Sequence, residues 1–172
     1  MNTQNLLSPH RLFTLRLLLS LLGAYIAYIY RHASHDYWFV MIFLFTAIAI
    51  APDYYRFKQH GDNPKALAER LLHWSGGLCA GIVIYAYHNS GRIFHEEAGL
   101  IVLLILALTT YLDGIKRGWR CIFAGLFLGL ITICVAYFDN YIWQLSALAA
   151  VSLIYSHYHP SDDAQADTGL LQ

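Results

Sequence analysis

Four histidines occupy two short polar segments between long apolar runs. His32 and His35 lie in RHASHD (31–36), and His88 and His95 lie in YHNSGRIFHEEAGL (87–100). Imidazole nitrogen together with carboxylate oxygen suits zinc, copper or iron. The residues that could ligate such an ion are His32, His35, His88, His95 and Glu96. His32 and His35 stand at i and i+3, so they share a face wherever a helix runs through them, with Asp36 beside the second. Against a metal centre, neither segment offers H-x-x-x-H or E-x-x-H, the spacings that set two ligands on one helix face in bundle metal sites. The first segment must also reverse the chain, and the second contains Asn89, Ser90 and Gly91, the residue types that let a chain leave one helix and turn. Asp36, Glu96, Glu97 and Asp139 each stand where a following helix starts and can accept its orphan amide protons and complement its dipole. Turn and cap account for these residues, and no metal or other cofactor is expected.

A second constellation, His73, Gly77, Gly81, Tyr85 and His88, follows steps of four, four, four and three and forms one helix face. Its two histidines are about 22 Å apart along the axis. Haem ligation by His73 and His88 is the chemistry such a stripe could serve, with glycines admitting the macrocycle to the backbone. Facing histidines are few, since only His157 and the outer His32, His35 and His95 are within reach. The competing reading is packing. Gly77-x-x-x-Gly81 is matched by Gly125-x-x-x-Gly129, flanked by Cys121, Thr132 and Ala136, and small residues at this spacing let helices touch backbone to backbone. Mutual packing of the third and fifth apolar helices through Gly77, Gly81, Gly125 and Gly129 is therefore expected.

These residues are positioned by apolar helices. In a chain of 172 residues, 58% of the side chains are hydrophobic and only 13% are charged, against about 25% charged in soluble domains. The class implied is an all-α, polytopic integral membrane protein. With about 20 residues needed to cross the hydrocarbon, and shorter runs helped by flanking aromatics, six spans are predicted: 12–30, 37–51, 71–87, 98–112, 119–138 and 141–155. They form three helical hairpins. Trp38, Tyr54, Tyr55, Trp119 and Trp143 are placed as interfacial anchors. Nine basic residues, Arg11, Arg16, Arg56, Lys58, Lys65, Arg70, Lys116, Arg117 and Arg120, fall on one side, and Arg31 and Arg92 fall on the other. That asymmetry puts both termini in the cytoplasm, in a cell membrane of the bacterial inner-membrane type. Within the longer cytoplasmic loop, Asp62–Asn63–Pro64 signals a helix start ahead of the third span. Residues 1–159 make one transmembrane domain, and 160–172 form a polar, disordered cytoplasmic tail.

Charge inside the spans is scarce. Arg16 lies about one turn inside the inner boundary and is expected to snorkel, while Asp113 is expected to pair with Lys116 or Arg117. Cys79, Cys121 and Cys134 read as small buried hydrophobes. Net charge is zero, so no basic field exists for nucleic acid. G-x-S-x-G, P-loop and H-E-x-x-H signatures are absent, and no catalytic residue is assigned. The expected role is non-catalytic: an accessory, assembly or scaffold subunit whose partners are the bilayer and other membrane proteins or further copies of itself. A haem- or metal-binding redox protein and a small carrier or channel are the alternatives.

Overall fold

The computed structural model describes residues 9–60, 64–137 and 142–158, and these form six α-helices with no strand. They are α1 (Pro9–Ile29), α2 (Arg31–His60), α3 (Pro64–Asn89), α4 (His95–Arg117), α5 (Trp119–Tyr137) and α6 (Ile142–Tyr158). Four segments are long and apolar enough to cross a membrane: Arg11–Ile29, Ser34–Gln59, His95–Arg117 and Trp119–Tyr137. The described apolar part of α6, Gln144–Ile154, is shorter. α3 has 26 residues, but its histidines, tyrosines and glycines dilute its apolar character. Helix is therefore the only regular structure among the described residues, and several of the helices are apolar in a way compatible with a multi-pass membrane protein. The Asp62–Asn63 cap, the Asp139–Asn140 turn and the tail fall outside the described residues.

Helix α2 overruns its predicted span, 37–51, at both ends, and both overruns matter for the site. RHASHD is helical rather than a turn, and the chain reverses at Tyr30, whose N–H still closes on Ile26 O at 2.7 Å. The first turn of α2 is held by packing on α4: a side chain on Gly99 would lie 3.3 Å from the His35 backbone. At its other end α2 continues through Pro52 to His60. Proline supplies no N–H to the carbonyl one turn back, which loosens the backbone ladder there. The neighbouring carbonyl, Ala49 O, accepts a hydrogen bond from Arg117 Nη2 at 2.6 Å.

α4 is the central helix. Ala98, Gly99, Val102, Leu103, Leu106, Ala107, Thr109, Thr110, Asp113 and Gly114 are buried, a three-to-four-residue recurrence wide enough to face several neighbours. α4 packs on α2, α3 and α5, while α1 packs on α2, α5 and α6. The link from α4 to α5 is the single residue Gly118, with φ +105°. This makes the two helices antiparallel neighbours. A side chain on Gly125 would stand 2.5 Å from the Tyr111 amide, and one on Gly114 would meet the Ile122 and Cys121 backbone.

That contact corrects the expected pairing of α3 with α5. Gly77 faces Thr109 of α4, Gly81 faces Ile42 of α2, Gly125 faces Tyr111 of α4, and Gly129 has nothing within 4 Å. The one-residue link at Gly118 sets α5 alongside α4, and α4 takes the small face of α5. Trp38 also departs from its interfacial placement. It is 1% exposed, and its indole fills the space that the absent side chain of Gly23 leaves. Tyr54, Tyr55 and Trp119 are exposed.

Candidate functional site

Polar side chains gather at the two ends of the bundle. At the inner end, α4 contributes Asp113 and Arg117, one helical turn apart. α3 contributes Arg70, α2 contributes Asp53 and α1 contributes Arg16. The Asp113 carboxylate is 4% exposed and lies 3.2 Å from Arg70 Nε and 3.8 Å from Arg117 Nε. Asp53 accepts Arg117 Nη2 at 2.9 Å and pairs with Arg70 Nη1. Two carboxylates thus share two guanidinium groups, and the planar fork of arginine allows each to reach both acids. Lys116 makes a separate, exposed pair with Glu69 at 2.8 Å. The hydrogen bond and charge of Lys116 hold the Glu69 carboxyl below its usual range.

Arg16 does not snorkel. It is 3% exposed, and its Nη1 donates to Cys121 Sγ at 3.3 Å. Arg117 and Asp113 are within electrostatic reach of it. Its depth was legible in the sequence, but its direction around the helix axis was not: α1 packs on α5, so the side chain turns inward. Asp53 and Arg70 were not singled out from the sequence. The available signals were an acid directly after Pro52 at the end of an apolar run and a basic residue at the threshold of the third span.

At the outer end, three of the candidate metal ligands meet. The rings of His35 and His88 are 4.3 Å apart, those of His88 and His95 4.2 Å, and those of His35 and His95 6.1 Å. Tyr85 stacks on His35 at 5.4 Å and on Phe39 at 4.4 Å. His35 is buried, and neither ring nitrogen has a well-directed hydrogen bond, although Asp36 Oδ1 lies 3.1 Å from Nδ1. Asp36 itself is largely in the open, so burial of the imidazole is poorly compensated. His88 Nδ1 lies 3.3 Å from Ile93 O. The His32 side chain is outside the described residues, and Glu96 is exposed. Among the described residues, no group of three or more ligating side chains is set to hold a metal ion. Rings that meet face to edge do not bring three nitrogen lone pairs to one point.

The turn between α3 and α4 is built as a helix stop and start. Gly91 adopts φ +73°, with its N–H on His88 O at 2.9 Å, and Ser90 Oγ donates to Tyr87 O at 2.7 Å. Glu97 Oε2 accepts the Phe94 N–H at 3.2 Å and so caps α4. Arg92 lies over the Tyr87 ring.

The α3 stripe joins the two ends. His73 Nε2 is engaged with Thr109 O at 3.0 Å. The glycines of the stripe receive Thr109 and Ile42. Between the polar ends lie Ile42, Phe45, Val102, Leu103 and Leu106, all buried in one apolar cluster. The sequence and fold were compared with protein-family models, with curated proteins and with solved structures, and no match was found.

Proposed function

We infer that this chain is a multi-pass membrane protein whose six helices cross the bilayer as three hairpins, with both termini on the cytoplasmic side of a bacterial-type inner membrane. Its role is non-catalytic, that of an accessory, assembly or scaffold subunit. The observation that carries this reading is the inner ion-pair network, in which side chains from α2, α3 and α4 bind one another rather than an open cleft. A rigid bundle with an apolar exterior, including exposed Leu15, Leu18, Leu22, Leu104, Leu108 and Leu126, suits presentation of helix faces to lipid and to membrane partners. The buried charges gather at one end and pair there, with the apolar side chains of Ile42, Phe45, Val102, Leu103 and Leu106 between them and the other polar end. This favours a scaffold over a carrier or channel, whose charges line a path through the span.

Topology is the test. In a chain with Cys79, Cys121 and Cys134 replaced, single cysteines at Arg92 and Lys116 should label with an impermeant thiol reagent from opposite sides of the membrane. Labelling of both from the outside would overturn the arrangement.

A second reading is favoured by the meeting of His35, His88 and His95. In it, ring rotation turns the trio into a transition-metal or haem ligand set. Metal analysis and an optical spectrum of detergent-purified protein separate the two readings. Stoichiometric metal or haem that disappears in His88→Ala would favour the second.

A further inference from the structure

We propose that Arg16 holds the phosphate group of an anion at the inner end of the bundle. The inner network is one negative charge short: Arg16, Arg70 and Arg117 face two carboxylates, Asp53 and Asp113. Both carboxylates already serve Arg70 and Arg117, so drawing Asp113 toward Arg16 would only move the excess elsewhere. Arg16 is 3% exposed, and among the described residues its one acceptor is the Cys121 sulfur, a weak one. Its Nε and Nη2 are enclosed and have no hydrogen-bond partner among the described residues. A buried, under-satisfied cation is costly, and such a group calls for a counter-ion.

The geometry of the two unpartnered donors selects the ion. Nε–H and Nη2–H lie on the same edge of the guanidinium plane and form the side-on fork that matches two oxygens of one phosphate. Cys121 belongs to the first turn of α5, so the positive end of that helix dipole adds to the field at this point. Arg16 lies two turns from the start of α1, at the arginine-rich end of the bundle, and an anion would reach its enclosed donors by displacing what covers them. The source of the phosphate is thus a lipid headgroup or a free anion. The assignment of a lipid source rests on the membrane reading above, whereas the oxyanion chemistry does not.

The test uses the full chain, purified in a non-ionic detergent and stripped of lipid. Native mass spectrometry and thermal stability are read with phosphatidylglycerol, with diacylglycerol lacking phosphate, and with inorganic phosphate. Wild type should bind one phosphatidylglycerol and not diacylglycerol, with affinity at least tenfold lower in Arg16→Gln. Equal stabilisation by inorganic phosphate, also dependent on Arg16, assigns the site to a free anion. Arg16→Lys keeps the charge but loses the fork, and it should bind more weakly than wild type. Should Arg16→Gln fail to fold, the wild-type and Arg16→Lys arms decide. No phosphate-dependent binding to wild type, or equal binding to both variants, overturns the proposal. Neither result bears on the labelling pattern that tests topology.

Discussion

Asp113→Asn tests whether the inner network holds the bundle together. The substitution keeps side-chain volume and removes one charge that is almost fully enclosed. At an effective dielectric of about 20, the attractions at 3.2 Å to Arg70 and 3.8 Å to Arg117 are about 5 and about 4 kcal/mol. Desolvation of the buried carboxylate offsets much of this, and removing one partner of a buried pair typically costs about 3–5 kcal/mol. Asp53 still faces both arginines after the change, so the lower end applies, about 3 kcal/mol, or roughly a 10²-fold shift in the folding equilibrium. The assay is unfolding in mixed micelles at increasing denaturing-detergent fraction, followed by circular dichroism. Lys116→Ala is the control, because its pair with Glu69 is exposed and a change much smaller than that of Asp113→Asn is expected. If Asp113→Asn unfolds at the same midpoint as Lys116→Ala, the network is an ornament of the packing and the reasoning fails.

Three further outcomes can be checked by the same unfolding assay. Gly125→Ala should cost about 1–3 kcal/mol by forcing the Tyr111 backbone away, while Gly129→Ala, which meets nothing, should be tolerated. Glu97→Ala should lose about 1 kcal/mol with the cap on Phe94 N–H, and Glu96→Ala should lose less because Glu96 makes no such bond. The folded Glu69 carboxyl titrates below its unfolded value, so its stabilising effect is present above the unfolded value and disappears as pH falls through the folded one. Stability curves of wild type and Glu69→Gln should therefore converge at acid pH, and curves that diverge there would contradict the sign.

Membrane class was legible because apolar runs of span length announce themselves without tertiary information. Helix ends were less legible. HASHD reads as a turn because it is polar, and the fourth predicted span stops at 112, yet α2 begins at Arg31 and α4 continues to Arg117. Each polar end is stabilised across the bundle, His35 against Gly99 and Arg117 against Asp53. Residues 53, 70, 113 and 117 meet only once three helices are packed, and no local spacing encodes that. Asp113 and Arg117, at i and i+4, were the visible half of the network. Gly77, Gly81 and Gly125 were legible as close-contact positions, but not their partners, because the one-residue link at Gly118 sets α4 rather than α3 beside α5.

Pro52 also bears on the choice between a scaffold and a carrier. In a carrier, a helix interrupted near the bilayer midplane leaves free carbonyls that bind the transported ion. Here the proline sits toward the inner end of α2, one residue before Asp53, and Ala49 O is taken by Arg117 Nη2. The same guanidinium holds Asp53, so the carbonyl beside the proline and the acid that follows it are tied to the end of α4 by a single side chain. A break used this way fastens two helices to each other. Above it lie the buried apolar side chains of Ile42, Phe45, Leu103 and Leu106, and the neighbouring buried hydroxyls of Thr46 and Thr109 are returned to their own helices, donating to Ile42 O and Ile105 O.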